Sequence, residues 1–223
     1  PTIIKHLYDM TGVDPVTVPL SDEKVDSLFL GTDHLDIKDA RYPFVHGSFG
    51  IPEFGTEFTR GVLDEVKPTR FADLVRISGF SHGTNVWENN AKEFIKNGEA
   101  TIKDAISTRD DIMNYLILKG LPSADAFQIM EKVRKGKGLT SEHESLMRKN
   151  DVPEWYIESC KRISYMFPRA HAAAYVMTSY RIGWFKINYP QEFYAAYFST
   201  KLDDFNSDVI FAGFDSCLKR HKE

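Results

Sequence analysis

The sequence has 223 residues, 42% hydrophobic and 27% charged, enough for one large domain or two small ones. A formal net charge of −4 argues against a dedicated basic nucleic-acid-binding domain, so any anion site has to come from local cationic clusters. No apolar run is long enough to cross a bilayer, and the N-terminus carries no signal-peptide pattern. Two distant cysteines, Cys160 and Cys217, form neither a disulfide framework nor a zinc spacing, so a reducing cytoplasm is expected. The missing initiator Met implies a fragment or a processed chain.

In chain order, Ile3, Ile4 and Leu7 share a helical face, ended by Thr11-Gly12 and Asp14-Pro15. Ser21 is the expected N-cap of a short helix with Val25, Leu28 and Phe29. Residues 31–55 are rich in Gly and Pro, and Phe44, Val45, Phe49 and Ile51 among them predict a small β element near residues 42–55. From Thr56 the pattern is helical. Phe58, Val62 and Val66 line one face, with Arg60 pointing elsewhere, and Lys67-Pro68 ends the element. Thr69 is expected to cap the next helix, with Phe71, Leu74 and Val75, closing at Gly79. A loop at Ser81-His82-Gly83-Thr84 leads to a stripe of Trp87, Ala91, Phe94 and Ile95. Thr108 with Asp111 reads as a capping box before Ile112, Tyr115 and Leu116, and Gly120 closes that helix. A helix from Pro122 or Ser123 carries Phe127 and Met130 into a basic turn, residues 132–138. Ser141 with Glu144 forms another capping box, and Pro153 opens a helix with Tyr156, Cys160 and Ile163.

The stretch from Pro168 to Pro190 predicts one long helix with two faces. Ala173, Val176, Met177, Tyr180, Trp184 and Ile187 form an apolar stripe. The other face carries His171, Tyr175, Thr178, Ser179 and Lys186, with Arg169 just before the first turn. Pro190 starts a further helix with Phe193, Tyr194, Tyr197 and Phe198. The fold class is mainly α with a small β element.

Seven scattered histidines supply no metal-ligand spacing, and there is no His-Glu-x-x-His. Nucleophilic hydrolase and P-loop patterns are missing, and Cys160 lies on an apolar face as a structural thiol. Asp110-Asp111 and Asp203-Asp204 read as solvated surface pairs, because adjacent helical residues do not converge. What remains is a set of anion-binding signals. They are Arg60; Ser81 and His82 in a loop leading toward a helix N-terminus; Arg134, Lys135 and Lys137 in the basic turn; and Arg169, His171, Tyr175 and Lys186 on the long helix. Each taken singly has an ordinary structural explanation. Taken together they suggest a helix that grips a flat, phosphorylated ligand such as a nucleotide, through ring stacking and charge-assisted hydrogen bonds.

The residues from Phe167 to Pro190 closely resemble the fingers of C-family bacterial replicative DNA polymerases, the PolC-type DNA polymerase III alpha subunit. Three further blocks agree: residues 50–58 (Gly-Ile-Pro-Glu-Phe-Gly-Thr-Glu-Phe), residues 77–84 (Ile-Ser-Gly-Phe-Ser-His-Gly-Thr) and residues 132–139. The resemblance covers nearly the whole chain and weakens after about Asp204. It implies a multi-helix fingers domain over residues 56–204, preceded by the end of a palm-to-fingers segment at 1–55 and followed by a tail at 205–223 toward the next domain. It also implies binding of an incoming deoxynucleoside triphosphate and primer–template DNA. Arg60 and the basic turn would contact triphosphate or nucleic-acid backbone, and Ser81 and His82 would lie near the nucleotide. His171 and Tyr175 would line the nascent base-pair pocket, with Arg169, where Lys is common, assisting at phosphate. The Mg2+ ions of the complete enzyme would be held by palm carboxylates outside this chain. The fragment alone would need no cofactor and would be inactive. The palm is a further partner, with the sliding clamp and other replisome proteins engaged through other regions and no membrane involved. The alternative is a non-catalytic helical module that binds nucleic acid or protein.

Overall fold

The computed structural model describes residues 2–37, 46–204 and 206–222. Thirteen α-helices are found among them: α1 Thr2–Thr11, α2 Glu23–Ser27, α3 Glu57–Val66, α4 Phe71–His82, α5 Lys92–Lys96, α6 Arg109–Leu118, α7 Ser123–Arg134, α8 Ser141–Lys149, α9 Glu154–Arg162, α10 Arg169–Asn188, α11 Pro190–Ser199, α12 Ser207–Phe211 and α13 Phe214–Lys222. The mainly α prediction holds. No helix among the described residues is long and apolar enough to cross a membrane. The chain divides into two compact units, residues 19–183 and residues 1–18 with 184–223, the boundary falling within α10.

The larger unit is a set of helix pairs: α3 on α4, α6 on α7, α8 on α9. Its core is strongly aromatic. Phe29 meets Phe54 edge-on at 5.0 Å and stacks on Tyr180 at 6.2 Å, while Tyr115 stacks on Tyr156 at 4.1 Å. Such pairs contribute about 0.5–1.5 kcal/mol beyond the area they bury. Tyr180 is fully buried, and its hydroxyl accepts from the Asp22 amide (2.8 Å) and lies 2.8 Å from Asp26 Oδ1. Burial, only partly offset by that hydroxyl, raises the Asp26 carboxyl above the usual carboxylate range. Gly183 keeps α10 close to α2 and the turn after it. A methyl there would lie 3.3–3.5 Å from Ile51, Val25 and Leu28.

The β element is not found where it can be judged. Residues 42–45, with Phe44 and Val45, lie outside the described residues. Residues 47–54 run as consecutive turns, with Ile51 N–H on Ser48 O (3.0 Å) and Phe54 N–H on Ile51 O (3.4 Å). The apolar residues there anchor turns instead of facing a partner strand. Ile51 and Phe54 are fully buried. The one β contact among the described residues is a single antiparallel bridge, Thr84 with Tyr165.

Helix boundaries differ from the patterns by one to three residues. Asp22 caps α2, accepting from Lys24 and Val25 N–H, where Ser21 was expected. Thr140 caps α8 with His143 at the third position, one residue ahead of the predicted Ser141–Glu144 box. Helix α4 runs through Gly79 to His82, because Gly79 is a contact point and not a terminator. A methyl at Gly79 would approach Ser107 O to 2.6 Å. Residues 87–91 form a kinked wide turn instead of the regular helix predicted, with Asn89 at φ +57°. Buried Asn90 stabilises it by donating to Asn85 O (2.7 Å) and Ser159 O (3.2 Å). The buried face of α3 is Thr59, Val62 and Leu63, leaving Phe58 exposed.

In the smaller unit α1 packs on α11, with Leu7, Phe193 and Ala196 buried. Lys186 is buried in this unit and does not share the exposed face predicted for it. Its Nζ lies 5.4 and 5.9 Å from the Phe193 and Tyr194 ring centres, and burial pushes its ammonium down to about 8. Ser179, placed on the same face by the pattern, is also buried.

Candidate functional site

The first two turns of α10 present a ladder of rings. Phe167 stacks on His171 at 5.0 Å, His171 meets Tyr175 at 4.4 Å, and Tyr165 meets Phe167 edge-on at 5.4 Å. On α10 the four-residue spacing puts His171 and Tyr175 on one face, and the segment entering the helix brings Phe167 and Tyr165 up to them. His171 and Tyr175 are exposed, while Ala172 is buried beneath them. Opposite lies the end of α4, with Ser78 and His82 one turn apart. The Thr84–Tyr165 bridge holds that end against the segment entering α10, through Thr84 N–H on Tyr165 O (3.0 Å) and Ser164 N–H on Thr84 O (3.0 Å). His82 meets the Phe167 ring edge-on at 5.8 Å.

Between these elements is a cavity of about 210 Å³ lined by Glu53, Ser78, His82, Phe167, His171, Ala172 and Tyr175. Its polar wall is an ion pair between His82 Nε2 and the Glu53 carboxylate. That bond raises the His82 imidazole above its ordinary value against the opposing effect of burial. Glu53 sits in a left-handed conformation, φ +70°, between buried Ile51 and Phe54.

Three predicted site residues, His82, His171 and Tyr175, therefore meet in one cavity. The other seven, Lys186 among them, do not line it. Ser81 lies beside His82, and its hydroxyl donates to Ser78 O (3.2 Å). Both residues lie at the C-terminus of α4, not in a loop before a helix N-terminus, so the expected phosphate cradle of N–H groups is not formed there. Arg60 clamps the turn that carries Glu53, donating to Gly55 O (2.5 Å) and lying 4.0 Å over the Phe49 ring. Arg134 and Lys135 both pair with Glu131, and Lys137 is exposed. The Arg134 hydrogen bond, then that of Lys135, draws the Glu131 carboxyl down to about 2. The basic turn nevertheless flanks the ladder, since Met166 N–H reaches Arg134 O (3.3 Å) and Gly136 abuts Ser164 O.

Arg169 faces away from the cavity and bonds Asp111. Its backbone N–H is capped by Asp110 at 2.6 Å. The Asp110-Asp111 pair is thus structural, not solvated. Asp111 is nearly buried and accepts from Ser107 N–H (2.9 Å), Ser107 Oγ (2.7 Å) and Thr108 N–H (2.8 Å). Burial opposes its ionisation, but Arg76, these bonds and Arg169 together hold the carboxyl below the usual range. Among the described residues no group of three His, Cys, Asp or Glu could hold a metal ion.

The family of the bacterial DNA polymerase III alpha subunit finger domain matches residues 1–151. This chain belongs to that family. It is 55% identical over all 223 residues to a DNA polymerase III PolC-type of Clostridium perfringens, of which it covers 15%. It is 53% identical over its full length to that of Thermotoga petrophila, covering 16%, and 52% to that of Listeria monocytogenes, covering 15%. The chain thus spans about a sixth of the length of these relatives. The finger-family match includes Glu53, Ser78 and His82. The ladder of Phe167, His171 and Tyr175 lies beyond it, within the stretch shared with the PolC-type relatives.

Sequence reasoning missed Glu53, Ser78, Phe167 and Ala172 as site residues. Ser78 carried a signal, lying four residues before His82 on the same face of α4, whereas Phe167 lies before α10 and reaches His171 through the entering segment. Glu53 carried none, because its pairing with His82 is made by the fold.

Proposed function

We propose that the larger unit is the nucleotide-facing wall of polymerase fingers, acting with a palm that lies outside this chain to incorporate deoxynucleotides on primer–template DNA. The cavity between the ring ladder and the His82–Glu53 pair carries this reading. At about 210 Å³ it is smaller than a drug-sized ligand site, so it would seat one part of a triphosphate nucleotide. The exposed Tyr175 and His171 rings offer a stacking surface for a base, and protonated His82 would offer a charge-assisted donor to phosphate. Arg134, Lys135 and Arg169 are held by carboxylates in the free chain. Arg134 and Lys135 would exchange Glu131 for phosphate, which is feasible because ion pairs open to solvent are weak and screened by salt, whereas Arg169 would stay on nearly buried Asp111.

In this reading residues 56–204 are the fingers, residues 1–55 join them to the palm, and 205–223 lead toward the following domain. Mg2+ belongs to the palm of the complete enzyme. The chain alone would be inactive, and the complete enzyme would work in the cytoplasm with a sliding clamp and replisome proteins. In the complete polymerase, Tyr175→Ala or His171→Ala should lower kcat/KM for single-nucleotide incorporation by about tenfold or more, as expected for one lost stacking contact. Primer–template affinity should stay near that of the unchanged enzyme. Unchanged incorporation kinetics would sink the assignment.

A second reading, a non-catalytic module that stacks single-stranded bases, is favoured by the internal pairing of Arg134, Lys135 and Arg169. Binding of single strands with steep salt dependence, and without response of the Tyr175 helix to triphosphates, would select it.

A further inference from the structure

We propose that Glu53 is a positioning residue: presented from a left-handed turn, its carboxylate fixes the His82 ring in the cavity wall, with its second ring nitrogen left for the phosphates of the bound nucleotide. The inference rests on the nucleotide reading above.

Four observations carry it. First, Glu53 and His82 line the same cavity and pair directly through His82 Nε2. An imidazole bonded through one ring nitrogen has its plane and tautomer set by that partner, and the other ring nitrogen donates once the ring is protonated. Second, the turn that presents Glu53 is held from both sides. Ile51 and Phe54 are fully buried on either side of it, and Arg60 grips Gly55 O. Third, Glu53 adopts φ +70°, a conformation that costs an L-residue with a long side chain and persists only where the surroundings over-determine it. Pro52 and Gly55 flank this strained position, and a carboxylate is what the strain delivers into the cavity wall. Fourth, the titratable groups lining the cavity are Glu53, His82, His171 and Tyr175, so Glu53 is the anion of that set. It faces His82 from the turn, while the element opposite, α10, contributes His171 and Tyr175.

The proton balance is simple. With Glu53 ionised, His82 holds its second proton to higher pH than an ordinary imidazole, in line with the raised value caused first by the Glu53 bond. Glutamine at position 53 keeps the shape and one acceptor but loses the charge. His82 then becomes neutral at lower pH than it does beside the carboxylate.

The test has two arms. In the 223-residue chain, His82 is followed by NMR titration of its ring signals, assigned by their loss in His82→Gln. Glu53→Gln should move the His82 midpoint to lower pH, and Glu53→Asp should restore part of the shift. An unmoved midpoint overturns the pairing. In the complete polymerase, kcat/KM for incorporation is measured against pH. Glu53→Gln should lose about tenfold at neutral pH, the scale of one charge-assisted hydrogen bond, and recover toward acid pH. His82→Gln should lose a similar factor with no acid recovery, and the double variant should match His82→Gln. Additive losses, or a Glu53→Gln loss independent of pH, overturn the positioning role. If His82→Gln leaves incorporation unchanged while the NMR shift is seen, the nucleotide reading fails and the Glu53–His82 coupling stands.

Discussion

Replacing Asp111 with asparagine removes a charge from the junction of three elements while leaving its volume. Asp111 Oδ2 accepts from Ser107 N–H, Ser107 Oγ and Thr108 N–H, Oδ1 takes Arg169, and Arg76 lies 3.7 Å away. An amide has one acceptor oxygen where the carboxylate has two. Whichever way it turns, its NH2 faces either the Ser107 and Thr108 donors or the Arg169 guanidinium. Breaking a buried ion pair costs about 3–5 kcal/mol, and since Arg169 is half exposed the lower end, about 3 kcal/mol, applies. With a urea slope of about 2 kcal/mol per molar, the unfolding midpoint should fall by about 1.5 M. Tryptophan fluorescence follows the larger unit through Trp87 and Trp155. The pH dependence has a definite sign. The Asp111 carboxyl is depressed in the fold, so its contribution is present above the unfolded value and is lost as pH falls through the lower folded value. The gap in stability between the unchanged chain and the Asp111→Asn variant should therefore shrink toward strongly acid pH. A midpoint within about 0.3 M of the unchanged chain at neutral pH would mean that the Asp111 charge does not hold this junction.

Gly79→Ala should destabilise the chain by about 1–3 kcal/mol in urea unfolding despite the better helix propensity of Ala, because the methyl meets Ser107 O at 2.6 Å; a net gain would show that the 107–108 segment yields. Gly136→Ala combines φ +67° with a 2.5 Å approach to Ser164 O, and should lower the urea midpoint and weaken the hold of the basic turn on the 164–166 segment. Buried Cys160, whose thiol is pushed well up by burial, should resist a thiol reagent in the native chain while half-buried Cys217 reacts, as mass spectrometry of the labelled peptides would show. Lys186 is lowered to about 8 by burial, so between that pH and about 10.4 the unfolded state binds more protons and stability rises with pH. Lys186→Met should remove that rise when urea midpoints are compared at about pH 7.5, below the window, and about pH 10, near its upper end.

Local pattern was enough for most of the helices and for the two α10 rings that line the cavity. The three- and four-residue spacing of α10 put His171 and Tyr175 together, and the Thr108–Asp111 box correctly turned Asp111 back onto its own helix start. The same pattern mistook Lys186 and Ser179 for exposed residues, because α10 is buried on more than one side and periodicity reports spacing, not what packs around a helix. It also made a strand of residues whose apolar side chains anchor turns, and a phosphate cradle of what is the C-terminal end of α4.

Composition, helical period and capping chemistry are local properties, and they were legible because each depends on residues within a turn or two of one another. The cavity is not local. Glu53 reaches His82 because Ile51 and Phe54 bury on either side of it, and the ladder faces α4 because one backbone bridge and the Asp110–Asp111 clip seat the start of α10. Those pairings are chosen by packing between distant segments, where many partners are chemically equivalent and only the folded chain selects among them.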